Sequence, residues 1–178
     1  MTETSATAAT PSAVVKTVVI VMGVSGSGKT TIGQLLAGRV GWSFAEADDF
    51  HPAPNVAKMS AGTPLTDEDR RPWLEAIRDW IDAHPGNAIV TCSALRRSYR
   101  DILSAARARV QFLHLHGSVE ELRSRLTART DHFMSVTMLD SQLATLEPLG
   151  PDEDGVVVSI SDSPQQVAQQ AARALQIP

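Results

Sequence analysis

Short apolar runs, each followed by a stretch of helical period, recur along the chain. The first, Thr17 to Met22 (TVVIVM), is β-branched and continuously apolar, the pattern of a central parallel strand covered on both faces. It leads through Gly23-Val-Ser-Gly-Ser-Gly-Lys-Thr-Thr into a helical pattern ending near Gly41, a suitable glycine just past a helix end. Ser43 to Ala47 predicts a second strand, Thr66 or Asp67 caps a helix running to about Ala83, and Pro85-Gly86 breaks the chain. Ala88 to Cys92 predicts a third strand, Arg96 to Ala108 the helix after it, and Val110 to His116 a fourth strand. Ser118-Val-Glu-Glu121 reads as a capping box opening the next helix, whose buried stripe is Val119, Leu122 and Leu126. Thr130 to Met138 has little period, and Leu139 to Leu146 resumes a helical one. Gly155 to Ile160 predicts a fifth strand, and Ser163-Pro-Gln-Gln166 joins an N-cap, a proline at the first helical position and a glutamine that closes the box. Strands alternating with helices predict an α/β fold with a parallel sheet and right-handed crossovers.

At 178 residues and 43% hydrophobic, the chain predicts one domain over residues 16–178, behind a disordered tail of residues 1–15. Sixteen basic residues against 20 acidic ones give a net charge of −4, so no global basic field recruits nucleic acid or a membrane surface. Any anion site must be local, and with lysine only at Lys16, Lys29 and Lys58, a lysine inside a motif is informative. The single cysteine, Cys92, ends an apolar run and reads as a small buried hydrophobe, which suits a reducing compartment. No apolar stretch approaches the ~18 residues of a membrane span, and the expected setting is the cytoplasm.

Gly23-x-x-x-x-Gly28-Lys29-Thr30 satisfies G-x-x-x-x-G-K-[ST] between a strand and a helix, the context that gives the pattern its meaning. Glycines at Gly23, Gly26 and Gly28 let the backbone curl so that amides of Ser25, Ser27 and their neighbours point inward, and the helix beyond presents its positive end. Lys29 then reaches the β- and γ-phosphates, the Thr30 hydroxyl ligates Mg²⁺, and Thr31 completes the nucleotide-binding set. A signalling GTPase is excluded: the only Asp-x-x-Gly is Asp152 to Gly155, far downstream, and no Asn-Lys-x-Asp occurs. The third strand ends Thr91-Cys92-Ser93 without an acid, so another residue must supply a second carboxylate near the metal.

Glu46-Ala-Asp-Asp-Phe-His-Pro52 offers such acids at the C-terminal end of the second strand. Strand alternation puts Glu46 and Asp48 on one face and Asp49 on the other. If that strand neighbours the glycine loop, Glu46 orders the metal's water shell and Asp48 accepts a proton from an attacking hydroxyl. His51 either hydrogen-bonds a substrate oxygen or caps the turn before Pro52. Arg125 and Arg129 stand four apart, off the buried stripe of their helix, and suit cations closing over phosphates. His114 and His116 share a strand face without a third metal ligand nearby and read as structural.

The set GVSGSGKTT, DDFHPAPNVAKMSAGTPLTDEDRRPWL, CSALRRSYRDIL, HFM and LDSQLATLE resembles the P-loop type of gluconate kinase, from Lys16 to the C-terminus. The resemblance implies a core like that of adenylate and shikimate kinases: a five-stranded parallel sheet, a substrate-side helical segment and a mobile lid at about residues 125–138. It implies ATP and Mg²⁺ as cofactors, D-gluconate as the substrate phosphorylated on its 6-hydroxyl, a homodimer, and entry of 6-phosphogluconate into the pentose phosphate route. A sugar acid needs a cation for its carboxylate, for which Arg70, Arg71 and Arg97 are candidates, with Arg71 and Arg97 favoured. Ser93, His51 and His132 join the substrate site, and Lys29, Asp48 and Arg129 form the catalytic set. Family members tend to read Ala-Arg-Lys-Gly-His-Phe-Met where this chain has Thr130-Asp131 in place of Lys-Gly. A kinase for another small polyol acid such as shikimate is one alternative, and that substitution keeps open a second, a nucleotide-binding regulatory protein with weak turnover.

Overall fold

The computed structural model describes residues 15–128 and 133–178, with side chains outside 133–137. Five parallel strands, β1 (Thr17–Met22), β2 (Ser43–Glu46), β3 (Ala88–Thr91), β4 (Arg109–His116) and β5 (Gly155–Ser159), form one sheet in the order β2-β3-β1-β4-β5. Between them run α1 (Lys29–Val40), α2 (Ala53–Ser60), α3 (Asp67–Ala83), α4 (Arg97–Ser104), α5 (Val119–Thr127), α6 (Phe133–Thr145) and α7 (Pro164–Leu175).

The continuous apolar run of β1 has the cause its pattern implies. Val19 and Val21 join a core with Ile32 and Leu36 of α1, Leu122 and Leu126 of α5, and Val167 and Ala171 of α7. Val18, Ile20 and Met22 point the other way, into a core with Trp73, Leu74, Ile77 and Ile81 of α3 and Leu103 of α4. A strand buried on both faces has no solvent side to mark with polar residues. Each fully buried side chain contributes about 1.5–3 kcal/mol, so β1 anchors both layers. The loop beyond it inherits a rigid base.

Several boundaries and one neighbour differ from the sequence-based expectation. β2 ends at Glu46, and a 3₁₀ turn, Ala47–Phe50, comes next, so Asp48 and Asp49 are not on a strand and alternation does not govern them. β2 lies beside β3 and not beside β1, so one strand separates it from the glycine loop. Helix α2 is hidden in the sequence by its prolines: Pro52 and Pro54 read as a turn, yet proline in a first helical turn lacks only an N–H that has no partner there anyway. The helix after β3 is shorter than expected, Arg97–Ser104, and α6 starts earlier, at Phe133. In α5, Ser118 accepts the Glu121 amide, but the Glu121 carboxylate turns to Arg125 instead of closing the box, and Val119 is exposed. The box at Ser163 and Gln166 forms in full. Among the described residues no helix is long and apolar enough to cross a membrane.

Candidate active site

Gly23 comes directly after β1 with φ 146°, and a side chain there would lie 2.8 Å from Ser27 Oγ and 2.9 Å from the Leu115 carbonyl oxygen. Gly28 takes φ 86° as the N-cap of α1. With no side-chain cap and no acid in the first turn, α1 leaves its first amides to an external anion. Lys29 Nζ donates to the Val24 carbonyl at 3.2 Å, folding the ammonium back over the loop. Ser27 is fully buried, and its Oγ is a polar atom without a partner. The Ser25 amide donates to Gln142 Oε1 of α6 at 2.6 Å, so a loop amide is held by a side-chain carbonyl from the far side of the sequence.

Beside the loop opens a cavity of about 340 Å³ whose walls include Gly28, Thr31, Arg125, Ile160, Asp162 and Pro164. Arg125 donates to Glu121 Oε1 at 3.0 Å and to the Ile160 carbonyl, which fixes its guanidinium at the mouth, 3.9 Å from where a Cβ on Gly28 would stand. Gly26, Ser27, Gly28, Thr31 and Arg125 thus line one cavity. Arg129 and His132, with Thr130 and Asp131, lie outside the described residues.

The acceptor side is built by β2 and the 3₁₀ turn at its end. Glu46 is paired in register with Thr91 of β3 and accepts a hydrogen bond from the Thr91 hydroxyl. The turn is fixed by Trp73, whose Nε1 donates to the Ala47 carbonyl at 2.7 Å. That clamp leaves Asp48 exposed at the sheet's C-terminal edge, the side where ligands of open α/β sheets sit.

His51 stacks on Trp73, ring centroids 4.3 Å apart, and its Nδ1 is 3.4 Å from Asn55 Nδ2. Burial holds its imidazole below the ordinary histidine range; Asp48 opposes that shift and Arg70 adds to it. His51 is therefore a neutral ring near both Asp48 and Arg70. Asn55, buried, donates to the Asp69 carbonyl at 2.8 Å, and Lys58 grips the Asp69 carboxylate at 2.7 and 2.8 Å, tying α2 to the start of α3.

The arginines sort differently from the expectation. Arg70 is half-buried, donates to the Leu65 carbonyl at 2.6 Å and lies over the Tyr99 ring at 5.8 Å. Arg71, 67% exposed, reaches only Glu75, at 3.5 Å. Arg97 is held by Asp152, at 2.9 and 3.0 Å, and by Asp101, at 2.7 Å, which raise its pKa above the usual arginine value. Of the two favoured candidates Arg97 is held by carboxylates and Arg71 faces solvent, whereas the charge of Arg70 is felt at His51. Neighbouring arginines on a helix point about 100° apart, and nothing in the sequence chooses the phase.

Ser93 lies between the two halves: its carbonyl accepts the Gly23 amide at 3.4 Å. Cys92, buried, has its thiol pushed up to about 12, by burial first, then lowered by the Ala94 amide, raised by Asp48 and lowered by Lys29. The thiol is inert at neutral pH.

Comparison with known proteins converges on one group. Residues 25–176 match the family model described as Shikimate kinase. A gluconokinase of Gluconobacter oxydans is 48% identical over 160 residues, covering 88% of this chain and 90% of that protein. The thermosensitive gluconokinase of Escherichia coli is 42% identical, covering 88% and 86%. Among solved structures, an unliganded sugar kinase from Janibacter superposes with TM-score 0.84 at 49% identity, covering 91% of this chain and 95% of that one. A gluconokinase from Sinorhizobium meliloti does so with 0.81 at 42%, covering 89% and 90%.

Proposed function

The chain belongs to the gluconokinases, within the shikimate kinase family whose model it matches, and from that membership we infer the ATP-dependent phosphorylation of D-gluconate to 6-phosphogluconate. The observation that carries the residue-level reading is the end of β3, where Thr91 donates to Glu46 of the segment that carries Asp48 and Ser93 accepts from Gly23 of the loop that carries Lys29. A carboxylate and a phosphate lysine so arranged suit in-line transfer to a hydroxyl.

The loop amides, the uncapped start of α1 and Lys29 hold the phosphates of ATP, and the partnerless Ser27 Oγ sits within that loop. Arg125 closes the cavity mouth, and the space bounded by Asp162 and Pro164 takes the base. The donor set suits Mg²⁺, which keeps several of its own waters and needs few protein ligands. What the chain offers is the exposed Thr30 hydroxyl, with Glu46 one strand away to orient water, the sparse oxygen set that a hydrated Mg²⁺ accepts. A bound Mg²⁺ supplies charge neutralisation at the phosphate oxygens.

Asp48 takes the proton of the gluconate 6-hydroxyl as the O–P bond forms and the bond to ADP breaks. Arg70 holds the carboxylate end, and His51, neutral and stacked on Trp73, takes a hydroxyl. Arg70 takes this role in place of Arg71 and Arg97 because its charge is felt at His51, while Arg97 is tied to Asp152 and Asp101 and Arg71 faces solvent. The same reading includes a homodimer working in the cytoplasm, supported by the family resemblance and open to sedimentation measurement.

The test is an acceptor panel in an ADP-release assay, with D-gluconate, other sugar acids and shikimate. Gluconate should be turned over best, and Asp48→Asn should lower kcat by about 10²-fold or more while nucleotide binding persists. Turnover of shikimate without gluconate would sink the substrate assignment, and an Asp48→Asn chain with full kcat would sink the base.

A further inference from the structure

We propose that Arg100, tied to Glu153, is a positioning residue: it locks the turn after β3 in a left-handed form at Ala94, and that turn sets the acceptor carboxylate against the phosphate loop. The proposal rests on the proposed kinase site and goes beyond it, because Arg100 touches neither substrate.

Ala94 has φ 45°, and the only other non-glycine residue with positive φ among the described residues is Gln176, the C-cap of α7. A helix end commonly finishes that way. Ala94 has no such excuse, and alanine lacks the short polar side chain that eases asparagine or aspartate into this region. Such a conformation persists only where the surroundings over-determine it.

The surroundings are Arg100. Its side chain is wholly buried and every nitrogen of its guanidinium is used. Nη1 donates to the carbonyls of Ala94 at 3.0 Å and Leu95 at 3.4 Å. Nε and Nη2 grip the Glu153 carboxylate at 2.6 and 3.1 Å, and Nη2 also donates to the Pro148 carbonyl at 3.2 Å. From the far side the Glu147 amide donates to the Leu95 carbonyl at 2.8 Å. A buried ion pair is weak evidence for stability, since apolar side chains of equal volume would serve the core as well. What an apolar pair could not do is hold two carbonyls of a left-handed turn.

The turn in question touches both halves of the site. The Cys92 amide donates to the Val21 carbonyl at 3.1 Å, and Ser93 accepts from Gly23 at 3.4 Å, so the turn is stitched to the start of the phosphate loop. On its other side the strand that feeds the turn pairs with β2, where the Thr91 hydroxyl donates to Glu46, two residues before Asp48. Relaxing Ala94 therefore disturbs the strand end that joins the phosphate loop to the acceptor segment.

The experiment compares Ala94→Gly and Arg100→Lys with the unaltered chain by thermal melting and by full kinetics in both substrates. Glycine adopts the left-handed region freely and Arg100 still holds the turn, so Ala94→Gly should melt no lower than the parent and keep its kcat. Arg100→Lys keeps the charge without the fork and should lower kcat about ten-fold, the scale of a sub-ångström misplacement, with the ATP KM within two-fold. Arg100→Lys with unchanged kcat overturns the proposal, as does a loss of rate that merely tracks a lowered melting point. If Arg100→Lys fails to fold, Glu153→Gln, which removes the charge that grips the guanidinium but keeps its shape, decides by the same ratios. Failure of the unaltered chain to use gluconate while it uses another acid refutes the substrate reading only, and the same ratios are then taken with that acid; no turnover with any acceptor refutes both.

Discussion

Replacing His114 by Asn should flatten the acid limb of the stability curve. His114 lies on β4, in register with Met22 of β1 and Val157 of β5, with its ring 6.0 Å from that of His116. Burial, with smaller contributions from His116 and Arg100, depresses its pKa from 6.5 to about 4. The unfolded chain therefore binds a proton across a pH window in which the folded chain does not, and stability, whole above pH 6.5, is lost as pH falls towards 4. At pH 5 the loss is about 2 kcal/mol, rising to a limit of about 3 kcal/mol at lower pH. Urea unfolding followed by tryptophan fluorescence at pH 7.5, 6 and 5 measures it in both chains. Carboxylate titrations common to both cancel, so the stability difference between parent and variant should move by about 2 kcal/mol in the variant's favour between pH 7.5 and pH 5. A difference that stays constant across that range refutes the argument.

Lys16 caps the end of α3, its ammonium donating to the carbonyls of Ile81, Asp82 and His84 at 2.6, 3.0 and 2.6 Å, so Lys16→Met should cost about 2 kcal/mol in urea unfolding. Gln142 competes with phosphate for the Ser25 amide, and Gln142→Leu should tighten a non-hydrolysable ATP analogue about five-fold in calorimetry, the worth of one hydrogen bond. Thr130→Lys with Asp131→Gly turns a negative stretch of the sequence positive and should lower the ATP KM; an unchanged KM would show that those charges do not meet the phosphates.

Legibility from sequence tracks the range of the interaction. The phosphate loop is readable because its constraint is local: glycines, a lysine and a flanking strand and helix define it within a dozen residues. Asp48 stands out by its position near the end of β2, but a 3₁₀ turn presents it, where the sequence pattern suggests strand alternation. Choosing Arg70 over Arg71 needs the helix phase, which only the packing of Trp73 and Leu74 on the sheet sets. Asn55 is concealed inside a helix whose prolines imitate a loop. Arg100 and Glu153 are 53 residues apart, and nothing in either neighbourhood announces the other.

The place of β3 between β1 and β2 has a consequence for how such a catalyst diversifies. Two inter-strand steps of about 4.8 Å separate the root of the phosphate loop from the root of the acceptor segment. β3 is thus a ruler of nearly fixed length between the two. Because the proposed acceptor segment, Glu46 through Arg70, is one uninterrupted stretch hung on an edge strand, it can be recast for a different alcohol while the nucleotide half keeps its coordinates. Changing the substrate then becomes an edit to one segment, provided that the ruler is left alone.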